Sequence, residues 1–178
     1  MRMLSQDADR TARLACSAAF LCAALMLSLA ESFIFPTGLL PIPGAKPGLA
    51  NAAVLLCSVI LGRKYAGAVS LARVMLMFFL FGNGSSILYS LSGAVLSYVG
   101  IIVISGNRHL SFFGKSVVTA ILHNMAQVIC AIIIFGFPAW TLFPWMILSA
   151  VLCGGFTGIV LNLCYNPITK AMSKRHRI

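Results

Sequence analysis

Apolar residues in this chain come in long uninterrupted blocks and do not alternate with polar ones. Blocks able to cross about 30 Å of hydrocarbon lie at 14–35, 47–61, 65–81, 86–104, 116–137 and 142–163. The pattern predicts an all-α membrane protein with six transmembrane helices. Between the blocks, Gly62-Arg63-Lys64, Gly82-Asn83-Gly84, Ser105-Gly106-Asn107-Arg108 and Phe137-Pro138 are helix-stopping connections. Their shortness predicts antiparallel neighbours.

Composition agrees with lipid as the solvent. Of 178 residues, 60% are hydrophobic and 9% charged, and the mean hydropathy is +0.99. A soluble domain is about half apolar and a quarter charged. The reading is one six-span domain over 1–178, with a short cytoplasmic segment at 1–12 and a basic cytoplasmic tail at 167–178. Arg10, Arg13 and Ser28-Leu29-Ala30 give the first block some likeness to a cleavable leader, but the block is longer than a leader's apolar core. It is read as a retained span.

The net charge of +10 would raise nucleic-acid binding in a soluble protein. Here the cations sit at the ends of apolar blocks, so no nucleic-acid partner is expected. Counting Lys and Arg alone, Arg2, Arg10, Arg13, Arg63, Lys64, Arg108, Lys115, Lys170, Lys174, Arg175 and Arg177 fall on one side of a six-span arrangement. Lys46 alone falls on the other, and Arg73 lies inside a span. Both termini are therefore expected in the cytoplasm, in a multi-pass protein of the cell membrane.

Ionisable groups at membrane depth are costly and mark candidate sites. Arg73 is about 12 Å along its span if the helix starts at Tyr65. It either pairs with backbone carbonyls or Glu31, or contacts a substrate or ion. His123, Asn124 and Gln127 lie at similar depth in the fifth span, with His123 and Gln127 one turn apart on one face. Interhelical hydrogen bonding is the plain reading for His123, and ligand contact the sharper one. Glu31, the only acid besides Asp7 and Asp9, is expected near the outer end of the first span, too far from Arg73 for easy pairing.

Between the first two spans, residues 35–48 carry four of the seven prolines. Such a stretch cannot be helical throughout, and it is apolar enough to fold over the bundle as a lid spanning 36–46. Pro47 is expected at the first turn of the second helix, with Gly48 behind it, Lys46 beside the positive end of the dipole and Asn51 one turn further in. A helix N-terminus with a nearby cation suits an anion; simple capping is the alternative.

In the first span Ala15, Ala19 and Ala23 recur every four residues, a small-residue stripe that lets another helix approach, whether from this chain or a partner. Gly154 and Gly158 raise the same choice in the last span. The six cysteines form no CxxC pair and have no histidine at ligand spacing, so neither a metal nor a cofactor is expected. No catalytic motif of the GxSxG, Walker A or HExxH kind occurs, and no enzymatic activity is expected.

The stretch Pro41-Ile42-Pro43-Gly44-Ala45-Lys46-Pro47-Gly48-Leu49-Ala50-Asn51, followed by Gly62, Arg73 and Gly82, resembles the Gx transporter family, also labelled heptaprenyl diphosphate synthase component I. The resemblance covers about the first half of the chain, and Pro47 stands where that family usually has an aliphatic residue. The family is similar in size and span number to the substrate-binding S components of energy-coupling-factor transporters. That likeness implies a docking role for Ala15, Ala19 and Ala23 toward a transmembrane coupling subunit and its ATPase pair, and a cap at 37–45. The synthase label meets a chemical obstacle. The usual helical prenyl-chain elongation needs aspartate-rich motifs holding Mg²⁺, and three acids cannot supply them.

Two functions follow as expectations. The first is a substrate-binding membrane subunit for uptake of a small anionic or amphipathic nutrient or cofactor precursor, with Arg73, Lys46, Asn51, Glu31, His123, Asn124 and Gln127 at the site. The second is a non-catalytic membrane subunit of isoprenoid or quinone synthesis, whose polar layer holds a lipid head group.

Overall fold

The computed structural model describes residues 2–34, 48–81, 84–104, 106–107 and 109–175. The expected lid at 36–46, Lys46 and Pro47 lie outside them. Six α-helices follow one another: α1 (Arg2–Ile34), α2 (Asn51–Ile60), α3 (Arg63–Phe81), α4 (Gly84–Ile104), α5 (Phe112–Phe135) and α6 (Phe143–Arg175), with a 3₁₀ turn, Phe137–Leu142, before the last.

Five of the helices are long and apolar enough to span a membrane, over Arg10–Ile34, Arg63–Phe81, Ile87–Ile104, Phe112–Phe135 and Pro138–Ile168. Their outward faces carry bare apolar side chains: Met26 is 68% exposed, Phe79 78% and Ile133 79%. Water would not tolerate such a surface, and lipid covers it. The chain is a multi-pass, all-helical membrane protein.

The second helix departs from expectation. It starts at Asn51: Gly48 has φ +91°, outside the helical region, and a turn leads in, with the N–H of Asn51 bonded to Gly48 O at 3.0 Å and that of Ala52 to Leu49 O at 3.0 Å. The ten residues of α2 rise about 15 Å, half the hydrocarbon thickness. The helix is therefore shorter than the full crossing expected over 47–61.

Its surroundings explain why so short a helix is stable. Asn51 to Ser58 are all buried, and α2 packs against each of the other five helices. Leu55 and Cys57 are wholly buried in a core shared with Phe20 and Ala24 of α1, Ala66 and Val69 of α3, Ile101 of α4 and Leu161 of α6. No face of α2 needs lipid. By contrast α1 packs only on α2 and α3 among the described residues. A second apolar cluster joins Tyr89 of α4, Val128 and Ala131 of α5, and Met146 of α6.

Small residues set the closest approaches. A Cβ on Gly154 would lie 2.9 Å from Val117 Cα, and one on Gly158 2.7 Å from Phe113 Cα. Here α6 meets the backbone of α5, and Ser116 and Thr157 share a 2.7 Å hydrogen bond across the contact. This glycine pair serves packing within the chain.

Candidate functional site

The short α2 fixes the depth of the polar layer. From the reversal at Gly62, where φ is +101°, α2 runs back over ten residues and α3 runs out from Arg63. Ten residues along α3 is about 15 Å, a greater depth than a start at Tyr65 gives, and there stands Arg73. The start of α2 and Arg73 are thus level in the bundle. His123, eleven residues into α5, is about 17 Å from its start and joins the same layer.

These side chains meet at a cavity of about 20 Å³, room for roughly one water molecule. Its polar lining is Ser28 and Glu31 of α1, Arg73 of α3, Ser90 of α4 and His123 of α5; Val74 and Met77 complete the wall. Arg73 is 6% exposed and Glu31 1%. Arg73 Nη1 donates to Ser28 Oγ at 3.3 Å, while Arg73 Nε has no hydrogen-bond partner.

Glu31 corrects the expected separation from Arg73. It lies near the described end of α1 at Ile34, as expected, yet it lines the same cavity as Arg73, close enough for the two charges to interact. Its Oε1 also accepts from the backbone N–H of Leu49. The carboxylate thereby occupies the positive end of α2, the position the sequence offered to an outside anion.

His123 and Gln127 lie as their spacing predicts, with His123 Nε2 and Gln127 Nε2 2.9 Å apart. Donation by the amide makes Nε2 the acceptor and leaves the ring hydrogen on Nδ1. That nitrogen rests against the Gly93 backbone of α4 without the alignment of a hydrogen bond. The approach requires glycine, since a Cβ there would lie 2.4 Å from His123 Cε1. On its other side His123 meets Gly48, whose Cβ would lie 3.2 Å from His123 Cδ2 and 3.0 Å from Asn51 Nδ2. Asn51 is 3% exposed and its Nδ2 has no partner.

Asn124 does not join the layer. Its Nδ2 donates to Met146 O at 2.7 Å and to Ser149 Oγ at 3.1 Å, tying α5 to α6. One residue along a helix turns the side chain by about 100°, which carries Asn124 away from the face of His123. Ser28 and Ser90 were not anticipated; a serine in an apolar block gives no sign of whether it faces a cavity or its own backbone. Ala15, Ala19 and Ala23 are exposed on α1, opposite the buried Phe20, Ala24, Ser28 and Glu31. All three stand on the exposed side of α1 among the described residues.

Among the described residues, no three His, Cys, Asp or Glu side chains come together as metal ligands. The layer offers donors: a guanidinium edge, a carboxamide and an imidazole, with one carboxylate already engaged.

Residues 20–164 match the family model described as heptaprenyl diphosphate synthase component I. The chain belongs to the heptaprenyl diphosphate synthase component I family. Neither a curated protein nor a solved structure matches it. The component I match takes in the described cavity residues and reaches well into α6, far beyond the first-half motif. It ends before the basic tail.

Proposed function

We propose that this component I family member is the substrate-binding subunit of an uptake transporter in the cell membrane, with both termini in the cytoplasm, and that it takes a small anionic or amphipathic nutrient or cofactor precursor. The observation that carries the reading is Arg73: a guanidinium 6% exposed, facing a cavity in the interior of a membrane bundle, with Nε unpartnered. Keeping such a group at depth is costly unless something binds there. Asn51 and His123 support it with further unpartnered donors, Glu31 sets the charge balance, and Gln127 orients the imidazole. In this reading Lys46 and the 36–46 segment cap the site.

A transporter of this kind needs a motor from outside the chain. The bare stripe Ala15, Ala19 and Ala23 is the proposed docking face for a transmembrane coupling subunit, which an ATPase pair would drive. Native mass spectrometry of the protein in mild detergent tests binding: a retained small molecule, reduced in folded Arg73→Lys, supports the reading, and a ligand-free wild type counts against it.

The family description favours a second reading, a non-catalytic membrane subunit working with a prenyl-diphosphate synthase partner. Co-purification separates the two. A coupling subunit with ATPases supports transport; a soluble prenyltransferase supports the accessory role.

A further inference from the structure

The lining of the Arg73 cavity narrows the chemistry of what enters it. Resting on the binding reading above, we infer that the group this site receives is an uncharged hydrogen-bond acceptor, a carbonyl oxygen of a neutral or amphipathic ligand, and not a free carboxylate or phosphate.

Three observations converge. The first is the donor inventory. Arg73, in the cavity wall, has its Nε buried without a hydrogen-bond partner, and that atom presents a hydrogen. Buried donors left unmet are destabilising, so the occupant must supply lone pairs.

The second is charge. Among the described residues the cavity lining holds one permanent cation, Arg73, and one carboxylate, Glu31. The pair balances itself. The positive end of α2, which would otherwise draw an anion, is taken by Glu31 through the Leu49 N–H. An incoming carboxylate would sit beside Glu31 in a medium that screens poorly, and it would have to displace that residue to reach the helix end. A carbonyl oxygen meets the donors and brings no second negative charge.

The third is size. A cavity of about 20 Å³ admits a group close to one water in volume. A carbonyl oxygen fits, with the rest of the ligand lying outside the pocket. Phosphate has four oxygens to place and does not fit.

Acetone and acetate provide the test, because they have nearly the same shape and differ in charge. The full-length protein, with ¹⁵N-labelled arginine and histidine, is titrated with each in detergent micelles while the Arg73 Nε and His123 Nδ1 resonances are followed by NMR. Acetone is expected to shift both resonances saturably at concentrations at least tenfold below those needed for acetate. In Glu31→Gln, which removes the balancing charge, acetate should become the tighter probe. Should that variant fold poorly, the wild-type comparison decides alone.

Acetate binding the wild type as tightly as acetone overturns the inference. So does failure of both probes to reach the two resonances, which would make the cavity a site for water only. These failures are distinct from failure of the binding reading. A ligand retained in native mass spectrometry with a carboxylate or phosphate head would sink the carbonyl assignment and leave substrate binding standing.

Discussion

The backbone N–H of Leu49 donates to the carboxylate of Glu31, so α1 supplies the negative charge that the exposed dipole at the start of α2 attracts. The contact joins α1 to the turn that opens α2, with residues 35–47 of the sequence between them. It also brings a carboxylate to the level of Arg73. The bundle thus carries its own counter-ion at depth.

The stability of Arg73 variants should reflect that proximity. Arg73→Met removes the cation beside Glu31 and leaves a buried carboxylate without its counter-charge on α3, a loss of about 3–5 kcal/mol. Thermal unfolding in detergent should show the single variant strongly destabilised and Arg73→Met/Glu31→Gln largely restored. Equal stability of the single variant and the wild type would show that the two charges are not coupled.

Arg73→Lys separates charge from shape. The ammonium keeps the positive charge and loses the planar fork, so the fold should survive while ligand retention falls about tenfold, the equivalent of 1.4 kcal/mol. Ligand occupancy in native mass spectrometry checks this, and unchanged occupancy would remove the guanidinium from the site.

Gly93→Ala should act on the same site from α4. Its methyl group would lie 2.4 Å from His123 Cε1, forcing the imidazole off Gln127. Overpacking of this kind costs about 1–3 kcal/mol. A fall in both melting temperature and ligand occupancy is expected; full occupancy would show that His123 can move without consequence for binding.

Asn124→Ala should affect stability alone. It removes the bonds to Met146 O and Ser149 Oγ, worth about 1–2 kcal/mol together at membrane depth. Ligand affinity in the folded fraction should stay at the wild-type value, and a selective loss of affinity would return Asn124 to the site.

Orientation and docking have their own tests. On a cysteine-free background, Thr141→Cys should react with an impermeant thiol reagent from outside intact cells and Asn107→Cys should not; the reverse pattern would invert the topology. Ala19→Leu should abolish capture of a coupling subunit while leaving insertion and ligand retention unchanged, because Ala19 is exposed. Retained capture would exclude that face.

Much of the layer was legible because a polar residue inside an apolar block has few neutral explanations. Arg73, His123 and Gln127 declared themselves by depth and by the one-turn spacing of the last two. Asn124 shared their depth but not their face, and a neighbouring position in a helix points elsewhere. The meeting of Glu31 with Arg73 was not legible for a different reason. Hydropathy shows where a block is apolar, not where its helix begins, and the block 47–61 hid a turn at Gly48 that leads into α2 at Asn51. That turn presents the Leu49 N–H to Glu31.

The enclosure of α2 bears on the order in which the protein can be made. A helix of ten residues is too short to hold a place in the bilayer by itself, and the core it belongs to takes in Leu161 and, beyond it, Cys164, Tyr165 and Ile168. During synthesis α1 and α3 are available early, but the last wall of its compartment arrives only with α6. Until then α2 is an unsheltered guest between half-assembled neighbours. Chains that stop short of residue 161 should be recognised as unfinished by membrane proteases, even when every earlier span has been inserted.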